Sequence, residues 1–114
     1  MKKVLTCLMA GGFLLGLAFN ASAAGIADAH AKAGVACEVC HGPDKANPKE
    51  PDIKICTQCH PTSALVEKTK AVKPQNPHTS PHYQAELDCV NCHHGHEASE
   101  NFCDQCHTFG FKVP

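Results

Sequence analysis

Tryptophan and arginine are absent from this chain, and its two methionines, Met1 and Met9, both fall within the first 23 residues. Beyond that segment the aromatic side chains are only Tyr83, Phe102, Phe109 and Phe111. So few large apolar groups build little core of their own, because small domains already bury a low share of their surface. Without methionine, thioether sulfur is excluded as a metal ligand. Positive charge is also in short supply. The formal charge is −1, and setting aside Lys2 and Lys3 takes it to −3. A basic face of the kind that nucleic acids require is therefore excluded, and partners with positive docking patches suit such a chain better. No alternating strand pattern stands out, so the expected fold is mostly irregular with short α-helices.

The first residues carry their own signature. Lys2 and Lys3 precede an apolar run from Val4 to Phe19 that contains three glycines, and Ala21-Ser22-Ala23 follows as a small-residue cleavage site. That arrangement predicts a secretory signal peptide over residues 1–23, cut after Ala23, and a mature domain over 24–114 exported to the periplasm. A retained membrane anchor needs about 20 apolar residues and a stop-transfer flank, and this run is shorter. Cys7 would leave with the peptide.

What the chain has in excess is cysteine and histidine. All eight cysteines after Cys7 fall in four copies of Cys-x-x-Cys-His: Cys37/Cys40/His41, Cys56/Cys59/His60, Cys89/Cys92/His93 and Cys103/Cys106/His107. This is the attachment signature of c-type haem. Two thiols at that spacing add across the two vinyl groups of one porphyrin, and the adjoining histidine aims a nitrogen at the iron. Paired Cys-x-x-Cys motifs also bind zinc, and cysteines of small exported proteins often form disulfides. Neither explains why a histidine follows every second cysteine. Four covalently attached haem c groups are expected, closely packed, with the porphyrins supplying the missing apolar mass.

Four haems with two axial imidazoles each need eight histidines, and nine are present. His41, His60, His93 and His107 are proximal by motif. His30, His82 and His96 each precede a motif by the same six-residue spacer, which assigns them to the first, third and fourth haems. Lys49 occupies the matching place before Cys56, leaving His78 for the second haem with His94 as its rival. His94 otherwise reads as solvent-exposed or propionate-bonding. Closed coordination at every iron points to electron carriage, because a six-coordinate centre moves one electron with little rearrangement. Reach adds proximity. His78 and His82, four residues apart, serve different haems, as do His93 and His96, so the second haem is tied to the third and the third to the fourth.

Between the motifs, Gly42 to Pro51 reads as a polar surface loop. The segment from Thr62 to Val72 predicts a helix of two to three turns, capped by Thr62 and stopped by Pro74. Lys73 to Pro81, with three prolines, predicts an extended connector. Each Cys-x-x-Cys-His is expected to form a helical turn.

Over nearly its full length the mature chain resembles the small tetrahaem cytochromes c and the N-terminal haem domain of periplasmic flavocytochrome c fumarate reductases. The residues that carry the resemblance are Asp28-Ala-His30, Asn76-Pro-His78 with His82, the run Cys92-His93-His94-Gly95-His96, and the ending Cys106-His107-Thr-Phe-Gly-Phe-Lys-Val-Pro114. The resemblance implies His30, His78, His82 and His96 as distal ligands. The spacing from His78 to His82 looks one residue longer than in the flavocytochromes, and His94 is an added imidazole. No dinucleotide fingerprint or catalytic arginine is present, so flavin-dependent reduction does not occur on this polypeptide.

The main expectation is a periplasmic carrier, not itself an enzyme. It would pass electrons from an inner-membrane quinol dehydrogenase to terminal reductases or outer-membrane multihaem cytochromes. The alternative is the haem subunit of a two-chain reductase whose flavoprotein partner reduces fumarate or another unsaturated carboxylate. A third reading, a multihaem reductase with an open iron, runs against the histidine supply.

Overall fold

The computed structural model describes residues 25–114; the signal peptide expected over 1–23 lies outside them. Within the described residues the chain forms four short helices: α1 (Ile26–Lys32), α2 (Cys37–His41), α3 (Ile53–Cys56) and α4 (Thr62–Lys68). Two 3₁₀ turns follow at Cys89–Asn91 and Phe102–Gln105. The rest is turns and irregular chain, with one isolated antiparallel bridge between Ser80 and Gln84. This matches the expected mostly irregular fold.

Each helix is short because its ends are fixed by local chemistry. Helix α1 starts without a side-chain cap. Its first orphan N–H groups are satisfied from elsewhere: Ile26 N donates to His94 O at 3.0 Å and Ala27 N to Gly95 O at 2.8 Å. It ends at Lys32, and just past the Ala33 cap Gly34 takes a φ of +83°, which suits glycine. Helix α3 is capped by Asp52, whose Oδ1 accepts from Lys54 N at 2.9 Å and Ile55 N at 3.3 Å. The turn at Phe102–Gln105 is capped in the same way by Asn101, which accepts from Cys103 N at 3.2 Å.

Every haem motif forms the expected helical turn, as α2, as the end of α3 continuing to His60, and as the two 3₁₀ turns. In the last three the histidine N–H donates to the carbonyl of the first cysteine, at 2.9 Å for His60 and 2.8 Å for His93 and His107. One turn thereby presents two thiols and an imidazole together.

Two expectations are corrected. In α4, Pro61 takes the cap position and Thr62 is already helical, with no side-chain cap bond; the helix stops at Lys68, and Val72 is exposed. The stretch 73–81 is not an extended connector but a succession of turns. Side-chain bonds fold it back: Asn76 Nδ2 donates to Val66 O at 2.9 Å, and Gln75 Nε2 to Thr79 O at 2.7 Å. By contrast, 43–50 is the exposed polar loop expected, shaped by Asp44, which accepts from Ala46 N and Asn47 Nδ2.

Among the described residues no apolar side chain is buried. A polypeptide that buries no core of its own needs covalent staples or a prosthetic group to hold one conformation, as its scarcity of aromatics foretold.

Candidate haem sites

Eight histidine rings meet in four pairs. Ring centroids stand 5.8 Å apart for His41 and His96, 6.0 Å for His30 and His60, 6.1 Å for His82 and His107, and 6.4 Å for His78 and His93. A transition-metal–imidazole bond is about 2 Å long, so two rings that coordinate one metal from opposite sides hold their centroids about 6 Å apart. Each pair joins one motif histidine to one histidine outside the motifs. Donors in twos suit a haem, where the porphyrin supplies the other four positions; a structural zinc ion needs four ligands from the protein. The residues therefore fit haem c: one turn brings two free thiols and one imidazole, and a distant segment brings the second imidazole.

The partners are not those that the six-residue spacer selected. His30 stands opposite His60 and not His41; His96 stands opposite His41 and not His107; His82 faces His107 and not His93; His78 faces His93, so neither His78 nor His94 meets His60. The eleven residues from His30 to His41 could span about 36 Å, so reach left the choice open and anchoring made it. Helix α1 is pinned to the carbonyls of His94 and Gly95, and the ring of His30 is held along its own helix by Ile26 O at 2.9 Å from Nδ1. His82 lies in the tight turn closed by Ser80 and Gln84, next to Tyr83, whose ring meets Phe102 edge-on at 6.0 Å. That contact brings His82 to the fourth motif.

Three rings show the support expected of metal-binding imidazoles, in which Nδ1 donates to an acceptor and Nε2 is left for the metal. Besides His30, His41 Nδ1 donates to Lys49 O at 2.7 Å, and His78 Nδ1 faces Thr69 Oγ1 at 3.0 Å. Lys49, read from sequence as the gap in the repeat, thus supports the first motif through its backbone. The ninth imidazole, His94, is half-buried in its own loop. Its Nδ1 bonds Ala98 O at 2.9 Å, with Glu97 at 3.6 Å and Glu100 at 4.0 Å.

Comparison with known proteins agrees with this arrangement. Residues 29–108 match the family described as cytochrome c3. The chain belongs to the cytochrome c3 family. Among its relatives, the acrylate reductase cytochrome subunit of Shewanella woodyi is 39% identical over 109 residues, 91% of this chain and 92% of that protein. A probable fumarate reductase of Shewanella frigidimarina is 33% identical over 85 residues, 73% of this chain but 14% of that much longer protein. No solved structure gives a significant match. As a member of this family the protein is a multihaem electron carrier with covalently attached haem c.

The motifs of this cytochrome c3 crowd together. Helix α2 packs on α3, and α3 on the turn at Cys89–Asn91. Cys56 at the end of α3 and Cys89 at the start of that turn are neighbours. Burial first, then the neighbouring Cys89, pushes the Cys56 thiol up to about 11; burial also raises Cys89 and Cys103, the latter with help from Cys92. Asp88, whose Oδ1 is buried without a protein partner, adds its charge beside Cys56 and Cys89. With the observed pairing, His78 and His82 link the third site to the fourth, while His93 and His96 link the third to the first. The second site joins through α3, which packs on α2 and on the turn at Cys89–Asn91. This corrects the linear order read from the spacer.

The eight cysteines expected to hold haem are not equally exposed. Cys40, Cys56, Cys89, Cys92 and Cys103 are half-buried, whereas Cys37, Cys59 and Cys106 are exposed. The second motif shows the contrast within a single turn. Cys56 closes α3 and faces Cys89, but Cys59 lies beyond the helix end, with its N–H donating to Cys56 O at 3.2 Å. That turn carries Cys59 away from the thiol cluster and out to the surface together with His60, which is also exposed. Cys59 therefore lies at the solvent edge of the second site.

The four aromatics of the described chain all gather at one site. Phe109 stacks on His107 at 4.5 Å and 8°, Phe111 follows at 5.3 Å, and Tyr83 lies against His82 and Phe102. Sequence reading missed Gly25, Thr69 and Asp88. For Gly25 and Thr69 no signal existed; Asp88 could have been noticed as a carboxylate adjoining a haem cysteine.

Proposed function

We propose that this cytochrome is the haem-carrying subunit of a two-chain, periplasmic, flavin-dependent reductase of acrylate or a similar α,β-unsaturated carboxylate. It would hold four haem c groups, each between two histidines: His41 and His96, His60 and His30, His93 and His78, His107 and His82. The observation that carries the subunit reading is the near end-to-end match to a protein named as an acrylate reductase cytochrome subunit. The paired imidazoles support the carrier role, since both axial positions of each iron would be taken and none left for substrate.

The chemistry divides sensibly between two chains. Reducing a carbon–carbon double bond takes two electrons and two protons, and a flavin can collect electrons delivered singly and pass them on as a pair. A free-standing shuttle, the main expectation from sequence, would use the same ligand geometry; the near-complete match to a reductase's cytochrome subunit favours the assembly.

Purification of the native cytochrome from periplasm tests the reading. The expected result is a co-purifying flavoprotein, with acrylate reoxidising the reduced haems only when that partner is present. A cytochrome isolated alone, whose haems stay reduced with acrylate whatever periplasmic flavoprotein is added, would return the shuttle to first place.

A further inference from the structure

Among the paired rings, His78 is supported differently from the other two with a bonded Nδ1. His30 and His41 bond backbone carbonyls, whereas His78 faces the hydroxyl of Thr69. A hydroxyl has one proton and two lone pairs, so it serves as an acceptor here only if its proton is committed elsewhere.

The neighbours commit it. Thr69 Oγ1 lies 2.7 Å from Leu65 O and 2.7 Å from Asn76 Oδ1. Asn76 is oriented from both ends: its Nδ2 donates to Val66 O at 2.9 Å, and its Oδ1 accepts the backbone N–H of His78 at 2.9 Å. The amide oxygen, not the nitrogen, therefore faces Thr69. With a helix carbonyl and an amide oxygen competing for its single proton, the hydroxyl donates to one of them and turns a lone pair to His78. Nδ1 of His78 then carries the proton, and Nε2 carries the lone pair that a metal requires.

We infer that Thr69 is the positioning residue of the His78–His93 site: its hydroxyl, locked by Asn76 and Leu65, sets the tautomer and plane of His78 and tunes the reduction potential of the haem held there. An acceptor on Nδ1–H makes the imidazole a stronger electron donor and stabilises the oxidised metal. Removing that acceptor raises the potential. The ring plane is part of the same device. His78 and His93 are parallel to within 2°, whereas His30 and His60 are 76° apart, and the relative plane of two axial imidazoles is visible in the electron paramagnetic resonance of low-spin ferric haem.

The test compares Thr69→Val, which keeps the shape and removes the hydroxyl, with Thr69→Ser, which keeps the hydroxyl, in the haem-loaded protein. Thr69→Val is expected to shift one reduction equilibrium about tenfold, an upward change of about 59 mV for one electron, and to alter the ferric signal of one parallel-plane haem. Thr69→Ser is expected to match the parent on both readouts. Should Thr69→Val fail to keep the haem at Cys89 and Cys92 while Thr69→Ser keeps it, the hydroxyl is again what holds the ring. Unchanged potentials and signals in Thr69→Val with all haems attached would overturn the inference, as would an equal shift in Thr69→Ser. The inference rests on the four-haem reading but not on the flavoprotein or its substrate. A parent protein whose mass lacks four haems would sink that reading, whereas a silent Thr69→Val would sink only this one.

Discussion

Gly25 rests against the peptide that joins Gly95 to His96, so closely that a β carbon at Gly25 would stand 2.7 Å from His96 N. Gly25 is buried, and the two residues after it bond the carbonyls of His94 and Gly95. This contact joins two histidine-bearing segments, with His30 on one side and His93 and His96 on the other. Gly25→Ala must push them apart, and overpacking of this kind costs about 1–3 kcal/mol. We expect a lower thermal midpoint, and carbon monoxide binding to a fraction of the reduced haem at the His41–His96 or His30–His60 site. An unchanged melting curve would show that the joint tolerates the methyl group.

The stacked rings of His41 and His96, 15° apart, predict where a ligand exchange acts. His96→Met should leave four haems attached and raise one potential, because a thioether is a weaker donor than an imidazole. The affected haem should be the one at Cys37 and Cys40. In a background carrying Cys37→Ala and Cys40→Ala, which lacks that haem, His96→Met should leave the remaining potentials alone. A shift of the haem at Cys103 and Cys106 would instead restore the partnership suggested by the six-residue spacer.

The motifs made the cofactor legible, because their chemistry is local: a thiol pair and a histidine within one turn are visible in five letters. Partnership was not legible, since it depends on where α1 docks. That docking runs through backbone atoms of Ile26, Ala27, His94 and Gly95, whose hydrogen bonds leave no trace in residue type. The turn at 73–81 hid in the same way. Its prolines promised extended chain, but Asn76 bonds α4 and His78 together and Gln75 bonds Thr79, folding it back. Helix α4 ends at Lys68, and just past its end Thr69 Oγ1 lies 2.7 Å from both Leu65 O and Asn76 Oδ1, a use of threonine that a pattern of apolar spacing does not register. Nor do five letters separate Cys56 from Cys59: which thiol faces a neighbouring motif and which faces water follows from where α3 packs.

Asp88 offers a test of electrostatics within the packed haems. Its carboxylate adjoins Cys89 and reaches Cys56, and Oδ1 is buried without a protein partner. A negative charge there favours ferric over ferrous iron at the second and third sites. Asp88→Asn removes the charge at nearly constant shape. At an effective dielectric of about 20 and a separation of about 10 Å, the interaction is of order 1–2 kcal/mol. The potentials of the haems at Cys56/Cys59 and Cys89/Cys92 should therefore rise by several tens of millivolts, with smaller changes at the others. Redox titration followed haem by haem checks this, and a fall in both potentials would reverse the assigned sign.

Acid should loosen the third site through His78. Burial lowers its pKa from the ordinary 6.5, and the nearby His93 lowers it further. The folded chain thus favours neutral His78, which is also the form that binds metal, more than the unfolded chain, which takes up a proton near the ordinary 6.5. Below that value the unfolded state binds more protons, so stability rises with pH across the window and is lost as pH falls. We expect the thermal midpoint of the haem-loaded protein to drop between about pH 7.5 and about pH 5. Other groups titrate in the same range, so the slope is assigned by comparison with His78→Met, whose side chain has no proton to gain. A shallower slope in that variant ties the acid sensitivity to this ring; an identical slope places it elsewhere in the molecule.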